Sequence, residues 1–309
     1  MKPVFAINGG AGRVLCSIPA LEKYYKKHGN EFYIFSESGL DFFAGNKQLQ
    51  DLTFTPDTKN VFEQIIKPNN LITPEPYREH GYYNQKRSLT ESFDFLINGT
   101  EDHSDLARPT IVLSKQEEIT ALDAIRQAKE LHGKSKTIVI QPFGRTSTTV
   151  EVAPKEVIDP SSRSLSTATY MKLIDALKKD YNIIYFGEDV TIEDYTFKIK
   201  TNIRMWSAIV EASDYFIGCD SVGQHMAYAF NKPGTVILGS TFAKNITYPD
   251  HFQIIQKQPV DIKYCPIRIC DGLDSDLANR YNDTCMDFTD AETNDIITKI
   301  KTDIKKKVK

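Results

Sequence analysis

The run Gly218-Cys219-Asp220-Ser221-Val222-Gly223-Gln224-His225 gathers residue types suited to holding a diphosphate. An apolar strand pattern, Tyr215-Phe216-Ile217-Gly218, leads into Asp220, and a helical pattern over residues 221–230 follows at once. The start of a helix presents unpaired N–H groups and the positive end of the helix dipole, so it attracts anions. Ser221 adds a hydroxyl, Gly223 allows close backbone approach, and Gln224 and His225 fall on the first helical turn. A diphosphate leaving a sugar needs such charge stabilisation as its bond breaks. The same residues also suit a plain strand-to-helix turn, with Asp220 as its cap and His225 packed.

The elements that must position this run alternate along the chain. A short apolar strand, Val4–Ile7, runs into Asn8-Gly9-Gly10-Ala11-Gly12, then a helical pattern over 14–27 and a second strand, Phe32–Phe35. Residues 44–105 are less regular and rich in Pro, Tyr, Asn and Arg. A strand at Thr110–Leu113 and a helix at Glu117–His132 close the first half. The second half reads as strand 136–141, the loop Pro142-Phe143-Gly144-Arg145, helix 165–179, strand 182–186, helix 205–212, strand 215–218, helix 221–230 and strand 235–238. Such alternation predicts an α/β chain of two doubly wound, Rossmann-like domains, residues 1–134 and 135–309, facing across a cleft. Ligands in such sheets bind at the carboxyl ends of the strands.

Bulk properties narrow the class. The chain has 309 residues, 40% hydrophobic and 26% charged, as a soluble globular protein has. No apolar run is long enough to span a membrane, and Met1-Lys2-Pro3 leads directly into a strand, so a cytoplasmic protein is expected. A formal net charge of −3 gives no general attraction to nucleic acid. The basic run Lys299–Lys309 reads as a solvated helix end. Cys265, Cys270 and Cys285 lack the paired spacing of a zinc site and have no neighbouring His, so no metal is expected.

Beyond Asp220 the pattern continues. His225 follows five residues after Asp220, and Ala227, Ala229, Lys232-Pro233, the strand Thr235–Leu238, Gly239 and Thr241 succeed it in order. This succession resembles the signature of the ADP-heptose:lipopolysaccharide heptosyltransferases, glycosyltransferase family 9. Ser221 stands for the family's Thr, and Val222 replaces its Gly, with Gly223 one position later. The segments Gly12–Leu21, Arg163-Ser164-Leu165 and Cys265 to Ile297 resemble further family stretches; residues 44–135 match loosely.

The resemblance implies a GT-B fold and a metal-independent, inverting transfer of a sugar from a nucleotide-diphosphate donor, with no bound cofactor and the nucleotide sugar as co-substrate. On that likeness Gly12, Arg145, Arg163, Asp220, Ser221, Gly223, Gln224 and His225 would hold the donor. Glu188, Asp189 or Glu193 would contact its ribose or base. A last helix after Asp290 could cross back onto the first domain. A monomer is the simplest assembly to expect.

One residue departs sharply. The family places a catalytic Asp after the Gly of its N-terminal loop, and here Arg13 stands there. A guanidinium stays protonated and cannot serve as base. The base would then come from Asp41, Glu79, His80 or Glu37, with Arg13 free to bind an anionic donor or acceptor, or catalysis would be lost and a nucleotide-sugar-binding protein remain. The segment Pro76–Arg87 interleaves Tyr77, Tyr82 and Tyr83 with Arg78, His80, Lys86 and Arg87, suited to stacking and phosphate contact. It leaves two acceptors open: a surface saccharide, or a hydroxymethylated DNA base such as some bacteriophage glycosyltransferases modify. A packed, Tyr-rich loop is the alternative.

Overall fold

Val4, Phe5, Ala6 and Ile7 are all buried, as an inner strand covered on both faces requires. They belong to β1 (Pro3–Ile7) in the computed structural model, which describes residues 1–145, 147–150, 156–159, 161, 163–187, 195–239, 241–256 and 286–308. The chain divides into two units, Met1–Ser114 and Lys115–Lys309.

In the first unit, β1, β2 (Tyr33–Ser36), β3 (Thr53–Phe54) and β4 (Asn70–Ile72) form a parallel sheet in the order β3-β2-β1-β4. The winding runs outward from β1 to β3, then returns to place β4 on the other side of β1. The switch point therefore lies at the carboxyl ends of β1 and β4, where open parallel sheets receive ligands. Helix α1 (Ala11–His28) starts earlier than its apolar periodicity predicts, because extended Gly10 caps it directly. Gly12 thus sits in the first helical turn rather than in a loop. The Tyr-rich segment folds into a 3-10 turn (Pro76–Arg78) and α2 (His80–Tyr83), followed by α3 (Leu89–Asn98), which packs on α1.

Thr110–Leu113, expected as a strand, is irregular. Its side chains fasten it elsewhere: Thr110 hydrogen-bonds the buried Glu22 of α1, and Val112 lies against Gly45.

The second unit opens with α4 (Lys115–His132), which packs on α6 (Ile203–Ala212) and locks to it through a fork from Arg204 to both Glu117 oxygens, 2.7 and 2.7 Å. The sequence pattern had left this helix at the end of the first half. β5 (Thr137–Gln141) begins a six-stranded parallel sheet. A small antiparallel ribbon follows, β6 (Thr148–Val150) with β7 (Glu156–Ile158), then α5 (Thr167–Leu177), β8 (Asn182–Tyr185) and β9 (Phe197–Lys198). After α6 come β10 (Tyr215–Gly218), α7 (Val222–Ala229), β11 (Gly234–Leu238), α8 (Ala243–Ile246), β12 (Gln253–Gln256) and α9 (Asp290–Lys307). The sheet order β12-β11-β10-β5-β8-β9 puts its switch point between β5 and β10. Each of β5, β8, β10 and β11 is buried end to end, which explains their unbroken apolar runs.

The last helix packs on α5 and β11 of its own unit. Ile296, Ile300 and Ile304 enter the core, and Tyr215 Oη donates to Asp303 Oδ2 at 2.6 Å. Each unit thus carries a Rossmann-like parallel sheet.

Candidate functional site

At the second sheet's switch point β5 and β10 end side by side, with Gln141 opposite Gly218 in register. Three loops gather around these two ends: Pro142–Arg145 after β5, Asp159–Leu165 before α5, and Cys219–Ser221 before α7.

Asp159 organises the middle loop. One carboxylate oxygen accepts from Ser161 N and Oγ at 2.9 and 2.6 Å, and the other accepts from Ser164 N at 3.1 Å and from Ser164 Oγ. Ser164 Oγ in turn accepts from Gly144 N at 2.8 Å, and Leu165 N donates to Pro142 O at 2.9 Å. This network fixes Arg163, whose Nε donates to Ser161 Oγ at 2.8 Å while Nη1 reaches the carbonyl of Asp220 at 3.4 Å. Arg163 is therefore tied to the start of α7. Arg145 is exposed beside Gly144.

Ser221 caps α7 through backbone geometry alone, so its hydroxyl is not taken up in a side-chain cap. Gly223 has a different task from the one its sequence position suggests. Its N–H donates to Gln141 Oε1 at 2.8 Å, and a Cβ there would lie 2.5 Å from that oxygen and 2.8 Å from the Phe216 ring. The glycine is required by the packing of α7 on the sheet. Gln224 is fully buried, with Nε2 donating to Asp220 Oδ1 at 3.3 Å; its Oε1 has no partner among the described residues.

His225 is buried, and Nδ1 lies 2.9 Å from Tyr248 Oη, whose ring stacks on Tyr228 at 3.5 Å. Burial pushes the imidazole down to about 4, and nearby Asp220 only partly offsets this. His225 is thus neutral at neutral pH and acts as a hydrogen-bonding group, not a cation. Gln141, Asp159 and Tyr248 were not foreseen. Only Gln141 left a signal, as the polar end of an otherwise apolar strand.

Glu188, Asp189 and Glu193 lie outside the described residues, as do Cys265, Cys270 and Cys285. Cys16 and Cys219 are buried and lie outside any disulfide. Among the described residues no group of three or more His, Cys, Asp or Glu side chains could hold a metal ion, and no helix is long and apolar enough to cross a membrane.

In the first unit the four expected catalytic residues do not converge. The Glu79 carboxylate is buried and caps α2, accepting from Gly81 N at 2.7 Å, Tyr82 N at 2.9 Å, Ser92 Oγ at 3.2 Å and Arg87 Nη1 at 2.6 Å. A carboxylate so saturated holds up the fold and is not placed to take a proton from a ligand. His80 is exposed on α2 and hydrogen-bonded by Asn84. Asp41 is exposed on the 3-10 turn Leu40–Phe43.

Arg13 is nine-tenths buried, and its guanidinium forks onto both oxygens of Glu75, 3.0 and 3.2 Å, while also donating to Pro74 O at 3.0 Å. The rings of Tyr77 and Phe93 flank it at 5.4 and 5.8 Å. Its charge is thus matched by an internal carboxylate, so the expected role as an anion-binding group is not what this geometry provides. Glu75, in the loop after β4, escaped the sequence reading, because nothing in its spacing ties it to Arg13.

Comparison with solved structures finds the same architecture. The glycosyl transferase family 9 protein from Veillonella parvula aligns over 99% of this chain and 97% of its own, with a TM-score of 0.69 at 11% identity. Escherichia coli ADP-heptose LPS heptosyltransferase II aligns over 90% and 98%, with a TM-score of 0.59 at 10% identity. E. coli heptosyltransferase WaaC, solved with ADP, aligns over 91% and 99%, with a TM-score of 0.51 at 10% identity.

The fold is that of the solved family 9 glycosyltransferases.

No protein-family profile matches the chain, and no curated protein sequence does. The likeness to these structures is thus one of fold, at 10–11% sequence identity. The shared architecture is the pair of Rossmann-like sheets of the GT-B class, and in this chain each sheet has charged residues at its switch point: Arg163 and Asp220 in one, Arg13 and Glu75 in the other.

Proposed function

We propose that this chain is a glycosyltransferase that moves a sugar from a nucleoside-diphosphate donor to an acceptor hydroxyl. The observation that carries this reading is the cluster at the carboxyl ends of β5 and β10, where Arg163, fixed by Ser161, meets the start of α7. A cation and a helix N-terminus on one loop edge suit a diphosphate, which gains charge as the glycosidic bond breaks. Neutral His225 and buried Gln224 then serve as hydrogen-bonding groups, and Arg145 stands at the rim. ADP in WaaC and the heptosyltransferase fold support an ADP-linked sugar and a saccharide acceptor.

The reaction fits a single displacement with inversion. The acceptor oxygen attacks the anomeric carbon, and the bond to the diphosphate breaks with its electron pair passing to the phosphate oxygen. Arg163 and α7 stabilise that oxygen.

The test is incubation of the full chain with ADP-heptose, ADP-glucose, UDP-glucose and GDP-mannose, with release of nucleoside diphosphate and any glycosylated product followed by mass spectrometry. Turnover of one donor in preference to the rest is expected. Nucleotide binding without turnover of any donor leaves a binding protein and removes the enzymatic reading.

A further inference from the structure

A diphosphate offers only hydrogen-bond acceptors, yet one enclosed group at the start of α7 is itself an acceptor. The Gln224 side chain folds back along the helix to Asp220, four residues earlier, as long helical side chains do. An ionised carboxylate only accepts, so the 3.3 Å contact runs from Gln224 Nε2 to Asp220 Oδ1. This fixes the amide: Nε2 faces Asp220, and Oε1 faces away from it.

That oxygen is unsatisfied. Gln224 is fully buried, and Oε1 has no hydrogen-bond partner among the described residues. His225, the next residue on the helix, is buried too, but its Nδ1 lies 2.9 Å from Tyr248 Oη. An enclosed carbonyl oxygen without a donor is costly, and native structures rarely keep one. Leu or Met would fill the same place without that cost. On the adjoining strand β11, the loop beyond its carboxyl end holds a second such atom: Thr241 Oγ1 is buried and has no partner among the described residues.

Donors and acceptors are segregated around the helix start. Arg163 Nη1, which reaches the Asp220 carbonyl, and the leading N–H groups of α7 donate. The Asp220 carboxylate and Gln224 Oε1 accept. A nucleoside-diphosphate sugar is divided in the same way: its phosphates accept, and the hydroxyls of the ribose and the sugar, which flank the diphosphate, donate.

We propose that Gln224 is a specificity residue of the donor site: its Oε1, oriented by Asp220, accepts a hydrogen bond from a hydroxyl of the bound nucleotide sugar. This rests on the glycosyltransferase reading above and involves the unit Lys115–Lys309 alone. The hydroxyl enters past Asp220, which still reaches the surface, and supplies the donor that Oε1 lacks. A ligand stripped of that hydroxyl leaves Oε1 unpaired and is rejected. A site built to bond a hydroxyl discriminates more strongly than one that only has room for it. Ribose and transferred sugar carry the same chemistry, and the experiment separates them.

The experiment uses the full chain and titration calorimetry. ADP, UDP and GDP are compared first. The one bound most tightly is then set beside its 2′,3′-dideoxy form and beside the donor of the panel above that carries it. These three probes are titrated into wild type, Gln224→Met and Gln224→Leu; both variants keep an apolar filling and remove the oxygen. If the ribose supplies the hydroxyl, the wild type should bind the dideoxy form about tenfold more weakly than its parent. Both variants should then lose about tenfold on the parent and on the donor, and nothing on the dideoxy form. If the sugar supplies it, both variants should lose about tenfold on the donor alone. Equal losses on all three probes, or none on any, overturn the proposal and leave glycosyl transfer standing. So does failure of both variants to fold, which would show that Gln224 serves the unliganded protein. A wild type that binds no nucleoside diphosphate and turns over no donor overturns the glycosyltransferase reading, and this proposal with it.

Discussion

Arg13 holds both carboxylate oxygens of Glu75 from within the first unit, at 3.0 and 3.2 Å. The two partners differ in burial, 9% against 35% side-chain exposure, and this predicts an asymmetry. Glu75→Ala strands a buried guanidinium, at a cost of about 3 kcal/mol. Arg13→Met keeps the contact with Tyr77 and Phe93 and leaves a carboxylate that can turn to water, so it should cost roughly 1 kcal/mol. The double variant should recover part of the Glu75→Ala loss. Denaturant unfolding of the four proteins checks the order.

Arg163 should carry donor affinity. Its guanidinium sits on Ser161 Oγ and the Asp220 carbonyl, and a charge-assisted contact to phosphate is worth about 2 kcal/mol. Arg163→Ala should weaken ADP binding roughly 30-fold by titration calorimetry. Arg163→Lys should recover only part of that, since a point charge cannot reproduce the fork.

Position 223 should tolerate no side chain. A Cβ there meets Gln141 Oε1 at 2.5 Å and Phe216 at 2.8 Å. Gly223→Ala should destabilise the protein by about 1–3 kcal/mol through overpacking. Gln141→Leu should cost about as much by stranding the buried Gly223 N–H. Thermal melting separates both from any loss of nucleotide affinity.

Stability should fall as pH drops below about 6.5. Burial lowers the folded-state His225 pKa from 6.5 to about 4, so between these values the unfolded chain binds the proton and the folded one does not. The contribution is present above pH 6.5 and lost as pH falls towards 4. It amounts to roughly 3 kcal/mol. His132, lowered by burial as well, acts in the same sense. His225→Gln should flatten the acid side of a plot of unfolding free energy against pH.

Glu79→Gln should act on the fold alone. It leaves Arg87 without its buried partner and weakens the cap of α2, costing about 2–4 kcal/mol. ADP affinity of the folded fraction should not change.

The sheets were legible because parallel strands buried on both faces cannot avoid unbroken apolar runs, and Thr137–Gln141 and Tyr215–Gly218 show them plainly. The helix start after Asp220 was legible for a similar reason, since strand and helix patterns meet there without a gap. Glu75 and Asp159 were not. Their partners Arg13 and Ser164 are chosen by how loops fold over strand ends, 62 and 5 residues away along the chain, and no periodicity encodes that. Gly223 misled for the opposite reason: a glycine at a helix start suits a ligand, but here the neighbouring strand occupies the space. Thr110–Leu113 has the composition of a strand and lost its place in the sheet to side-chain contacts with Glu22 and Gly45.

The bond between Tyr215 and Asp303 joins positions 88 residues apart. Tyr215 lies in the central strand that ends beside the Arg163–Asp220 contact, and Asp303 lies near the end of the last helix. The Tyr215 phenol also hydrogen-bonds Thr235 Oγ1 within the sheet, at 2.7 Å. Docking of α9 therefore closes the middle of the second sheet, where Ile296, Ile300 and Ile304 join the core. A protein trimmed ahead of Asp303 to remove the basic end would therefore be left with an open core, and trimming should stop after Lys307, whose ammonium still pairs with Asp303 at 3.0 Å.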